Sequence, residues 1–124
     1  MMQQKQRVVV LGANDRPDSY ARMAVQQLLQ AGHEVVPVNP NADSVEDLPV
    51  LDSLDEVNGP VDTLTLYVSA HISSALIDEI VRLDPGRVIF NPGAENPLLS
   101  AALQQHKIPT EQACTLVLLR TGQF

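Results

Sequence analysis

The chain has 124 residues, 44% of them apolar, and a formal net charge of −7; the expectation is one compact domain over residues 1–124 and not a two-domain enzyme. The acidic balance repels nucleic acid and anionic membranes, and no lysine or arginine run offsets it. A lone cysteine, Cys114, rules out an internal disulfide and a thiolate zinc site, no run approaches the ~20 apolar residues of a membrane span, and the polar start MMQQKQR lacks a signal peptide's apolar region, so the expected home is the cytoplasm.

Val8 to Leu11 is apolar throughout, which predicts a strand buried on both faces and ending at Gly12. Ala21, Ala24, Val25, Leu28 and Leu29 then form the stripe of an amphipathic helix that Gly32 closes. Glu34 to Val38 predicts a second strand, halted by Asn39-Pro40. Asp43 to Asp62 carries seven acids and no base, a solvated stretch with Ser53 and Glu56 spaced as a capping box. A third strand is predicted over Asp62 to Val68, followed by one helix with Ile72, Ala75, Leu76, Ile80 and Leu83 on a single side, ended by Pro85-Gly86. Arg87 to Phe90 is a fourth strand, and Asn96 with Pro97 supplies an N-cap and first residue for a helix to about His106. Ile108 to Glu111 predicts a short fifth strand, and the tail TLVLL is read as a helical turn.

Strands alternating with helices imply an α/β fold, a Rossmann-like, doubly wound, mostly parallel sheet of five strands. The expected strand order is 3-2-1-4-5, which puts the crevice at the strands' carboxyl ends between the loops that begin at Gly12 and Asn91.

The loop GANDRPDSY presents free backbone N–H groups, and Arg16 and Arg22 are the bases near enough to assist an anion. Gly12→Val is expected to block backbone approach to that anion and leave the fold largely intact. The pattern G-x-G-x-x-G is absent, with Asn14 and Pro17 in place of glycines, and no acid ends the second strand, so NAD is disfavoured. His71 at the third strand's end is read as a capping or solvent-facing residue, while His33 and His106 sit at helix ends where they suit the dipole. No histidine pair has metal spacing, and Cys114 is read as inert. Glu95 is the carboxylate best placed in the expected crevice, and it is read as holding its own loop.

The segments VVVLGANDRP, with Tyr20 following, AGHEVVPVNP and the turn NPGAEN resemble the CoA-binding domain family of small Rossmann-like proteins, a match over nearly the whole chain that includes Asn96 and Cys114. The resemblance implies that Gly12, Ala13 and Asn14 cradle a CoA pyrophosphate, with Arg16, Pro17 and Tyr20 on the same loop. It implies further that Val38, Asn39 and Pro40 border the adenine or ribose, that Val68 and Ser69 line the opposite wall, and that Gly93 and Ala94 close the site. Asn41 stands where many relatives have a basic residue, so recognition of the 3′-phosphate is expected either to fall to Arg16 or to be weak.

The function expected from this resemblance is binding of coenzyme A or an acyl-CoA without catalysis. Two alternatives stand beside it: a small acyl-CoA- or nucleotide-using enzyme with His71 or Glu95 as acid or base, and an interaction module whose Asp43–Asp62 segment docks a basic partner. Exposed helices on so small a sheet leave room for a homodimer.

Overall fold

In the computed structural model, which describes residues 4–124, most of the apolar runs form the elements their periods predict. The first three residues of the polar start lie outside the described residues. In chain order the elements are β1 (Arg7–Leu11), α1 (Tyr20–Gln30), β2 (Glu34–Val38), the hairpin β3 (Ser44–Val45) and β4 (Leu48–Pro49), a 3-10 turn (Leu54–Glu56), β5 (Thr63–Leu66), α2 (Ala70–Ser74), α3 (Ile77–Leu83), β6 (Arg87–Phe90), α4 (Pro97–Gln105), β7 (Thr110–Gln112) and α5 (Thr115–Arg120). The α/β class and the parallel five-stranded sheet are as the sequence predicts.

The strand order is not the expected 3-2-1-4-5. The sheet runs β2-β1-β5-β6-β7, so the third predicted strand, β5, lies beside β1 and not outside β2. Pro37 supplies the reason. Its carbonyl points away from β1 and accepts from the Leu51 N–H at 3.0 Å, so its missing N–H falls on the outer edge, where a ladder cannot continue. The stretch around Leu51 covers that edge through a single bridge, Val38 to Leu51. All four residues of β5 are buried, as a central strand requires.

Alternation along β1 divides the core. Val9 and Leu11 face a cluster with Ile80 of α3 and Leu99 and Leu103 of α4. Val8 and Val10 face Ala21, Val25 and Leu28 of α1, with Leu118 and Leu119 of α5 packed alongside. Burying each large side chain, such as Leu28 or Leu99, contributes about 1.5–3 kcal/mol.

Three local expectations change. The helix expected from Ile72 to Leu83 is broken into α2 and α3 at Ala75-Leu76. No breaker stands there in sequence; the Asn96 amide instead grips α2 through Ala70 O, Ser73 Oγ and Ser74 Oγ at 3.2, 2.7 and 3.0 Å. The fifth strand begins at Thr110 and not Ile108, because the Ile108 N–H donates back to Leu103 O at 2.9 Å at the end of α4 and Pro109 has no N–H to give a ladder. His33 is buried at 4% exposure, where the imidazole Nδ1 accepts from the Gln6 N–H at 3.0 Å; burial first, then the charge of Arg87, lowers its pKa, so it is not the cation expected at a helix end. Asn96 caps α4 and the tail is helical, both as predicted.

Candidate functional site: a cleft at the switch point

Because β5 and not β6 adjoins β1, the winding reverses between β1 and β5, and the crevice opens there. A cleft of about 700 Å³ lies at the carboxyl ends of β2, β1 and β5, within the size range of small-molecule sites. Its floor is Leu11 and Gly12. One wall is Val38 to Asn41, the other Tyr67 to Ser69, and α2 and the 3-10 turn close the far end with Ile72, Leu76 and Leu54. The crevice is therefore not between the Gly12 and Asn91 loops as expected.

Gly12 has φ +96, and a Cβ built on it would stand 2.6 Å from the Tyr67 carbonyl oxygen. Its N–H donates to Val38 O at 2.8 Å, so one residue joins the exits of three strands. The Asn39 amide donates to Ala13 O at 2.9 Å, and its carbonyl accepts from the Asn41 N–H at 2.9 Å. Asn14 Oδ1 accepts from the N–H and Nε of Arg16 at 3.1 and 3.2 Å, which holds the guanidinium at the cleft's edge. The N–H groups of Ala13 and Asn14 have no acceptor among the described residues.

Arg22, the other base expected to serve an anion, is already engaged by Asp15 at 3.2 Å and by Glu46 at 3.9 Å. Asp15 Oδ1 also accepts from the Glu46 N–H at 3.3 Å, so these charges fasten the β3–β4 hairpin to the start of α1. Arg16 has no carboxylate partner among the described residues and is the one cation lining the cleft.

Of the residues singled out from sequence, Gly12, Asn14, Arg16, Val38, Asn39, Pro40, Val68 and Ser69 line the cleft together. Ala13 is buried beneath the loop, Tyr20 is 68% exposed, and Pro17 lines a shallower depression beyond Arg16. Gly93 and Ala94 do not line the cleft: Ala94 is buried in the core, and the Gly93 N–H donates to Glu95 Oε1 at 2.9 Å. Glu95 holds its own loop, as read, and lies outside the cleft. His71 lines it; Cys114 does not, standing half-buried at the start of α5.

Sequence reasoning missed Asp52, Ser53, Ala75 and Glu79, which also line the cleft. The signal that leads to Asp52 is Pro37: a proline inside a strand marks a sheet edge that the following segment must cover. Tyr67 borders the cleft with its ring turned toward the α1 side. Burial pushes its phenol above the ordinary value, and the hydroxyl lies buried near Thr115, Thr65 and Cys114, with no well-aligned hydrogen bond among the described residues. Beneath it a polar network spans the sheet: Asn91 Nδ2 donates to Thr65 Oγ1 and Leu66 O, Asn91 Oδ1 accepts from the Thr115 N–H, and the Thr65 and Thr115 hydroxyls bond at 2.8 Å.

A parallel doubly wound sheet with a glycine turn and a cleft at its switch point is an architecture of nucleotide-binding α/β domains. Within that class, the chain belongs to the CoA binding domain family, whose pattern matches residues 6–120. It is 30% identical over 84 residues to the uncharacterized protein YneT of Bacillus subtilis (strain 168), a stretch covering 68% of this chain and 62% of that protein. A crystal structure of an uncharacterized protein superposes with a TM-score of 0.93 at 34% identity, covering 98% of this chain and all of the other. The fold also recurs, at 19% identity and a TM-score of 0.73, in the dinucleotide forming acetyl-coenzyme A synthetase 1 of Ca. Korarchaeum cryptofilum, where 87% of this chain matches 25% of that one. Among the described residues no helix is long and apolar enough to cross a membrane.

Proposed function

We propose that the chain, folded as one domain, binds coenzyme A or an acyl-CoA in the switch-point cleft and acts as a binding protein without chemistry of its own. The observation that carries this reading is the Gly12 loop. Among the described residues, the N–H groups of Ala13 and Asn14 are unengaged and stand beside a guanidinium that no carboxylate neutralises, and such a set suits a pyrophosphate. The residues present fit a CoA-type ligand: the polar Asn39 to Asn41 wall suits a ribose, and Val68, Ile72 and Leu76 offer apolar surface for the pantetheine arm. When bound, CoA supplies a thiol. The chain's own residues bind and orient it.

Thermal unfolding with CoA, acetyl-CoA and dephospho-CoA tests the proposal, with NAD and NADP as controls, since Asn14 and Pro17 replace the glycines those cofactors need. Ligand at ~100 times its dissociation constant stabilises the folded state by about 2.7 kcal/mol, a rise of several degrees in a domain of this size. A rise with the CoA ligands alone is expected. No rise at millimolar CoA, acetyl-CoA or dephospho-CoA overturns the proposal.

A further inference from the structure

Resting on the CoA-type reading above, we propose that the cleft selects a ribose whose hydroxyls are unphosphorylated, so that dephospho-CoA binds in preference to CoA. The fold brings a carboxylate in from outside β2. Asn39 N–H donates to Leu51 O at 2.8 Å and Leu51 N–H to Pro37 O at 3.0 Å. These two bonds seat Asp52 at the carboxyl end of β2, where it lines the cleft with Asn39, Pro40 and Asn41. Asp52 makes no hydrogen bond or ion pair among the described residues.

In doubly wound folds the pyrophosphate lies on the first turn and the adenosine ribose over the end of the second strand. An acid there accepts from the ribose hydroxyls, and a phosphorylated ribose is met by an arginine. Here the acid is Asp52. The chain has eight lysines and arginines, and of these Arg16 alone lines the cleft, beside the turn where the pyrophosphate needs it. Glu79 adds a second carboxylate to the cleft, and on the other side of Arg16 the neighbouring depression holds Asp15, already paired, and Asp43. A 3′-phosphate, with a charge of about −1.5 to −2, therefore meets carboxylates on either side of Arg16 and no second cation. A free ribose diol donates to Asp52 without that repulsion.

The test is isothermal titration calorimetry of the full chain with CoA and with dephospho-CoA, for the native protein and for Asp52→Asn. Asp52 is exposed, so the substitution leaves the fold in place. The native protein is expected to bind dephospho-CoA at least tenfold more tightly than CoA, and Asp52→Asn to reduce that ratio at least threefold. Equal affinity, or tighter binding of CoA, overturns the selectivity while the CoA-type reading stands. A native preference that Asp52→Asn leaves unchanged overturns the assignment to Asp52. Failure of both ligands to bind overturns the CoA-type reading and this inference with it.

Discussion

The α-carbon of Gly12 lies directly against the backbone of Tyr67, so that a Cβ added there would fall 2.6 Å from the Tyr67 carbonyl oxygen and 3.0 Å from its carbon. The obstruction is backbone, which cannot swing aside, and φ at Gly12 is +96. Gly12→Val consequently breaks the fold as well as the anion loop, contrary to the expectation of an intact fold. The expected cost is about 3 kcal/mol or more, read as a lower urea midpoint; an unchanged midpoint would contradict this packing.

Arg16 and Arg22 separate binding from stability. Arg16→Ala removes an uncompensated guanidinium from the cleft and is expected to weaken CoA-type ligands about tenfold or more, the worth of a charge-assisted hydrogen bond. Its melting temperature should stay within a degree or two. Arg22→Ala unfastens Asp15 and Glu46 and should lower the melting temperature while changing affinity less than threefold. Titration and melting of the two variants check both halves; reversed roles would refute the assignment.

Asn91 is 2% exposed and makes three hydrogen bonds that join β5, β6 and the start of α5. Asn91→Ala orphans the Thr115 N–H and the Leu66 carbonyl and leaves a void. The expected loss is about 3 kcal/mol in chemical denaturation. A loss under about 1 kcal/mol would mean that water replaces the amide.

His33 makes stability depend on pH. Its folded pKa lies below the ordinary imidazole value of about 6.5, chiefly through burial and then through Arg87, and Nδ1 must be unprotonated to accept from Gln6. The unfolded chain therefore binds the proton more readily. The contribution is whole above pH ~6.5 and is lost as pH falls through the lower, folded value. Denaturation at about pH 7.5 and about pH 5 should show a drop in the native protein. His33→Asn, whose amide oxygen can take the place of Nδ1, should show a smaller one. Equal drops in both would assign the effect to other groups.

The sequence by itself determined the succession of strands and helices and the residues of the anion loop. The periods of Val8 to Leu11, of the Ala21–Leu29 stripe and of the Asn96-Pro97 cap are set within a few residues, and Gly12, Asn39 and Arg16 stand at strand exits whose place follows from that succession. Only the tertiary structure decided the neighbour of β1. The runs at Thr63–Leu66 and Arg87–Phe90 are alike in length, and periodicity says which face of a strand is apolar without saying which strand lies beside it. The choice turns on Pro37, whose absent N–H makes β2 an edge, and on the Leu51 segment that covers it. From that choice follow the move of the crevice from the Asn91 loop to the Tyr67 loop, the exclusion of Gly93 and Ala94, and the arrival of Asp52 beside Asn39. These are contacts between residues distant in the chain, settled by which hydrogen bonds can be completed once the sheet has formed.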